Sequence, residues 1–282
     1  MILRSYVERF YKNERRRWEQ TQLEYAPLDK ELSGDVEDGV FVRRYEARVR
    51  LSAGEFLEKL REMRDDEALF TTDSEQPGVP DTPARVYFDR HLYLPLLQEY
   101  DESKPADEKL VKYSPAGLNT GEARFVRQLR DYLRDDPAGQ ELLEGWEVFL
   151  LRNLARGRGV GFLIGDHATQ KYFPDFILWL KNEERQHIAF IDPHGLVFAG
   201  SLDSNPKVMF RMDIRQYERT LNERASRDDV RLHSFIISQT GIDDLQNLYG
   251  PLTRGELHRR HVYLWDDGVS GILNSILAEE EA

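Results

Sequence analysis

Lys171-Tyr-Phe-Pro-Asp-Phe-Ile-Leu-Trp-Leu180 and His187-Ile-Ala-Phe-Ile-Asp-Pro-His-Gly195 flank a short polar stretch, Lys181-Asn-Glu-Glu-Arg185. Both runs are too short and too rich in Ile, Phe and Trp for helices, so they read as an antiparallel hairpin closed by the polar insert. Centring the turn between Glu183 and Glu184 sets Asp175 against Asp192, with Ile177 opposite Phe190 and Trp179 opposite Ile188. Side chains alternate along a strand and opposed residues share a face, so the two aspartates stand together at one end of an apolar floor. His194 falls on that face as well; His187 falls on the other, where it is expected to pack. Like charges opposed on a sheet repel, which calls for a divalent cation or a shared proton. Taken singly, each aspartate has a plainer reading as a strand-end residue satisfied by backbone donors or solvent. The pairing is what points to a hard cation such as Mg2+ or Mn2+.

Working outward, Asn119-Thr-Gly-Glu122 has capping-box spacing at the head of a helix expected over 120–133. Glu122 is then the N3 cap, yet it also lies on the stripe of Phe125, Val126 and Leu129 that should pack on the sheet, within reach of the strand ends that carry the aspartates. Strands are expected at 146–151, 160–164, 231–238 and 261–265, and helices at 208–224 and 243–248. Upstream, residues 2–25 read as an amphipathic helix, 45–51 as a half-buried strand, and Ser52 to Glu55 as a cap opening a helix through Phe56, Leu57, Leu60 and Met63. A loop rich in Pro, Asp, Thr and Gly at 71–84 precedes an apolar segment, Val86 to Leu97. The polar stretch 101–108 marks the boundary between an N-terminal α+β connecting or docking region, 1–105, and a second domain, 106–282. The class is α+β.

With 282 residues and no cysteine, the chain has ample material for a core and excludes disulfide frameworks, thiolate zinc sites and thiol nucleophiles. No run is apolar enough to span a bilayer and the first ten residues lack a signal-peptide core, so no membrane association and a cytoplasmic location are expected. A net charge of −12 argues against a freestanding chain that grips nucleic acid: either nucleic acid is not the substrate, or another chain or domain supplies most of the affinity. Basic groups at Arg15 to Arg17, at Arg152, Arg156 and Arg158, and at Arg259 and Arg260 read as solvated surface. Gly157, Gly159 and Gly161 read as a tight turn, because no Gly-Lys-Ser/Thr follows, and His258 and His261 lack the other features of a zinc-binding helix.

The helix glutamate, Pro174-Asp175 and Asp192-x-His194 together resemble the PD-(D/E)XK nuclease motif, with His194 in the lysine position. The resemblance extends through Leu118 to Glu122, Leu150-Leu-Arg-Asn153, Arg158 to Phe162, Tyr172 to Trp179 and Phe190 to Gly195. These segments look like the C-terminal nuclease region of type III restriction enzymes and related DEAD/DEAH helicases of phage defence, over about residues 110–240; Phe88 to Leu96 looks like the connecting region of such proteins. The resemblance implies a restriction-endonuclease-like core and a metal-dependent DNA endonuclease acting with a helicase or ATPase motor, in cis or in trans, in restriction or anti-phage defence. It implies Glu122, Asp175, Asp192 and the carbonyl of Pro193 as ligands of Mg2+ or Mn2+. His194 would orient the attacking water or accept its proton, although a neutral imidazole gives no fixed positive charge. The chain has no Walker elements and so is not expected to be the motor itself. RNA remains a possible substrate, and the alternative to an enzyme is a catalytically degenerate scaffold or DNA-sensing subunit.

Overall fold

The computed structural model describes residues 46–55, 57–58, 61, 84–87, 91–92, 96–99, 109–114, 116–153, 160–164, 170–196 and 200–278. The helix expected over 2–25, the loop 71–84 and the boundary stretch 101–108 lie almost wholly outside them. Among the described residues no helix is long and apolar enough to cross a membrane.

Four short strands come first: β1 (Glu46–Val49), β2 (Ala84–Tyr87), β3 (Leu96–Glu99) and β4 (Val111–Ser114). β2 and β3 form an antiparallel pair, one at each end of the apolar segment 86–97. β1 pairs with β4. Then follow α1 (Thr120–Arg134), α2 (Pro137–Leu142), β5 (Glu147–Arg152), β6 (Phe162–Ile164), β7 (Gln170–Tyr172), β8 (Phe176–Lys181) and β9 (Gln186–His194). The chain continues through α3 (Pro206–Ala225), β10 (Val230–Ser238), α4 (Ile242–Tyr249), α5 (Arg254–His258), β11 (Val262–Leu264) and α6 (Gly268–Ala278).

The central sheet has five strands in the order β11-β10-β9-β8-β5. β8 runs antiparallel to both of its neighbours, β5 and β9, whereas β10 lies parallel to β9 and β11 parallel to β10. A parallel neighbour needs a crossover, and α3 supplies it between β9 and β10. The β8–β9 register is the one read from the sequence, with Ile177 against Phe190 and Trp179 against Ile188. Asn182 closes the turn by accepting from the amides of Glu184 at 2.9 Å and Arg185 at 2.7 Å, a side-chain mimic of a backbone turn. The run 171–180 is not one strand, however. Phe173 and Pro174 interrupt it, and the part before them, β7, pairs with β6 instead.

Alternation assigns the two faces. Phe176, Leu178 and Leu180 of β8, Ala189 and Ile191 of β9, and Phe235 and Ile237 of β10 pack with Phe125, Val126 and Leu129 of α1 and with Ile272 and Ile276 of α6. Ile177, Ile188, Phe190 and Leu232 pack on the other face with Tyr172, Phe210 and Ile214. Burial on both faces accounts for the near-continuous apolar runs. α1 begins with the capping box expected: the Asn119 side chain accepts from the Glu122 amide at 2.8 Å while Glu122 Oε2 accepts from the Asn119 amide at 3.0 Å. α3 is capped by Asn205, whose side chain accepts from the Lys207 amide, with Pro206 in its first turn.

Candidate functional site: a carboxylate pair at the end of the sheet

Asp192 is the seventh of the nine residues of β9 and is 3% exposed. Asp175 immediately precedes β8, and the ladder that pairs Phe176 with Ile191 carries it to the position opposite Asp192. The segment is held from β5: the Asn153 amide donates to the Asp175 carbonyl at 2.8 Å, and the Asn153 carboxamide donates to the Pro174 carbonyl at 2.7 Å.

Burial, the neighbouring Asp192 and then Glu122 push the Asp175 carboxyl up to about 9, with Lys207 opposing them. A side-chain hydrogen bond to Asp192 contributes in the same direction. At neutral pH the pair therefore shares a proton, one of the two solutions that opposed carboxylates demand. A divalent cation is the other, and it would replace that proton.

Lys207 is the residue that reading the hairpin alone does not reach. Its ammonium donates to Asp192 Oδ2 at 2.7 Å and lies 5.3 Å from the centre of the Tyr172 ring. It reaches the acids because the crossover helix must start beside the end of β9, and Asn205-Pro206 places Lys207 in its first turn. That cap was the signal available in the sequence. Tyr172 is 2% exposed, and burial beside Asp192 and Asp175 holds its phenol protonated, well above the usual range.

His194 ends β9 and is exposed. Desolvation and then Lys207 lower its pKa, against an upward pull from Asp192, so its imidazole is neutral at physiological pH. The Pro193 carbonyl accepts from Gln239 Nε2 at 3.0 Å, which leaves an acceptor lone pair of the carbonyl for a further donor or a cation. Gln239 in turn crowds the start of α1, where a side chain in place of Gly121 would collide with it.

Glu122 is buried at 7% exposure and close enough to act on Asp175 electrostatically. Its Oε2 is engaged by the Asn119 amide and by Arg152 at 3.1 Å. The fold thus brings Asp175, Asp192 and Lys207 together, with Glu122 acting on Asp175 and Asp192 acting on His194 electrostatically. Among the described residues no three His, Asp or Glu side chains stand close enough together to hold a metal ion. The donor set suits a hard cation nonetheless: two carboxylates that share a proton, and a backbone carbonyl at the same strand end. His258 and His261 are not on one helical face, since α5 ends at His258 and His261 adopts a left-handed backbone with φ of 56°.

In comparisons with protein-family models, curated proteins and solved structures, nothing matches the chain.

Proposed function

We propose that the chain is a deoxyribonuclease dependent on Mg2+ or Mn2+, with a restriction-endonuclease-like core, that is brought to DNA by a helicase motor in cis or in trans. The observation that carries this reading is the Asp175–Asp192 pair with Lys207 on the second carboxylate. The order α1, three antiparallel strands, α3 and a parallel strand β10, with β6 and β7 inserted, supports it, being the order expected of a PD-(D/E)XK core.

Asp175 and Asp192 would hold the ion, with the Pro193 carbonyl as a further donor and Glu122 joining them once the ion draws the acids closer than they stand in the metal-free chain. When bound, the ion supplies Lewis acidity to a phosphate oxygen and to the attacking water. Lys207 answers the departure at His194: it brings from α3 the fixed positive charge that an imidazole lacks, next to the carboxylate where the phosphate would sit. Neutral His194 is left to accept a proton from water or to orient it. A net charge of −12 agrees with delegation of DNA affinity to the motor.

The test is nicking of supercoiled plasmid by the purified chain, with and without the candidate motor, in Mg2+ and in Mn2+, with an RNA substrate in parallel. Asp175→Ala is expected to lower cleavage by at least about a thousandfold. Unchanged cleavage in that variant overturns the site. DNA retained with the motor but never cut, and no saturable metal binding, would favour a scaffold.

A further inference from the structure

Arg152, the last residue of β5, and Asn153, which follows it, face opposite ways. Leu150 is buried in the cluster beneath α1 and Leu151 in the cluster beneath α3, so alternation sends Arg152 to the α1 side and Asn153 to the α3 side. Arg152 donates to the carbonyls of Ala116 at 2.6 Å and Gly117 at 2.9 Å and to Glu122 Oε2 at 3.1 Å. All three acceptors belong to the lead-in and first turn of α1. Asn153, 7% exposed, donates through its backbone amide to the Asp175 carbonyl at 2.8 Å. Its carboxamide donates to the carbonyls of Pro174 at 2.7 Å and Val160 at 2.8 Å and accepts from the Val160 amide at 2.9 Å.

Asp175 needs such help. It precedes the β8–β9 ladder, which begins at Phe176, and Pro174 has no amide with which to pin the segment. Only a carboxamide of this length donates twice and accepts as well: aspartate lacks the donors and the shorter serine has a single one.

We propose that Arg152 and Asn153 are a positioning bracket for the acid site, Arg152 setting Glu122 from one face of the sheet and Asn153 setting Asp175 from the other. This rests on the reading of those acids as metal ligands. The bracket touches neither the ion nor the substrate, and acts by fixing where the carboxylates stand.

The test uses the purified chain and two readouts. In Mn2+ titrations Asn153→Ala should weaken binding about 10- to 100-fold, the range for residues that orient metal ligands. Asn153→Ser, which keeps one donor, should fall between it and the native protein. Arg152→Lys keeps the charge but loses the fork and should weaken binding about tenfold. In the metal-free chain, carboxyl carbon NMR should show the Asp175 resonance displaced in Asn153→Ala, and that of Glu122 displaced in Arg152→Lys, while Glu256 stays in place. Native Mn2+ affinity together with unmoved Asp175 and Glu122 signals in folded variants overturns the bracket. If the alanine variant does not fold, the serine variant decides. If the native chain binds no Mn2+, the metal reading fails, and the NMR readout still judges whether the bracket positions the acids.

Discussion

Strand β9 contributes to two buried titratable pairs of opposite chemistry. On the face toward α1, His187 Nδ1 lies 3.0 Å from His233 Nε2, and these residues are 1% and 0% exposed. The Trp146 ring meets His187 edge-on and Phe235 stacks on His233. On the face toward α3, at the far end of the same sheet, Asp175 and Asp192 share a proton. Burial drives one member of each pair toward neutrality, lifting the Asp175 carboxyl to about 9 and pulling His233 well below its usual value. The surroundings separate them. The histidines are roofed by aromatic rings, whereas Asp192 has an ammonium at 2.7 Å and exposed His194 two residues further along the strand. A buried, perturbed group alone therefore does not mark a site; an opposing charge and access to solvent are what the acid end adds.

The largest expected effect tests the ammonium that distinguishes the acid end. On the proposed function, Lys207→Met should lower the single-turnover cleavage rate about 10²- to 10³-fold while Mn2+ still binds, the loss typical of removing one group that stabilises developing charge. His194→Ala should cost less than Lys207→Met, at most about a hundredfold, the low end for a group that accepts or orients a proton, since its neutral imidazole contributes no fixed charge. The opposite ranking would return the motif role to His194 and reduce Lys207 to a partner that neutralises a buried carboxylate.

A smaller effect tests the shared proton. Because Asp175 keeps its proton up to about pH 9, a cation must displace it to bind, and the apparent Mn2+ affinity should rise about tenfold per pH unit between about pH 6 and 8. Calorimetry in buffers of different ionisation enthalpy would count the proton released. A flat profile would mean that the ion does not enter between these two carboxylates.

How much of this contrast the sequence exposes depends on the range of the interactions. The hairpin register is readable because alternation, turn length and apolar pairing all agree locally, and the Asn119–Glu122 cap because it spans four residues. The expected helix over 120–133 and strand over 231–238 are close to Thr120–Arg134 and Val230–Ser238. By contrast, α2 and α5 have six and five residues, too few for helical periodicity to show. α6 carries Gly268 and Gly271 in a mostly apolar segment, which weakens a helical reading. In sequence Arg152 reads as solvated surface, because its partners at Ala116, Gly117 and Glu122 are 30 to 36 positions away. Lys207 stands 15 positions from Asp192, and nothing in the hairpin itself announces it. The pairing of His187 with His233 across 46 positions depends on the parallel register of β9 and β10, which no local pattern encodes.

The finest test sets the two pairs against each other through the stability of the metal-free chain. Asp175 holds its proton to about 9 when folded, against a usual value of 3.8. Between those limits the native state binds more protons than the unfolded one, so this group's contribution is present at low pH and is lost as pH rises toward 9. His233 runs the other way: its folded value lies well below 6.5, so its contribution is complete above pH 6.5 and is lost as pH falls below it. Each slope is bounded at about 1.4 kcal/mol per pH unit for one proton. Urea midpoints from pH 5 to 9 should therefore show Asp175→Asn gaining on the native protein as pH rises. His233→Gln, which keeps a hydrogen-bonding partner for His187, should flatten the acid limb. Parallel curves for His233→Gln and the native protein would remove the histidine pair as the source of that limb and leave the acid site as the one place where this sheet couples folding to protons.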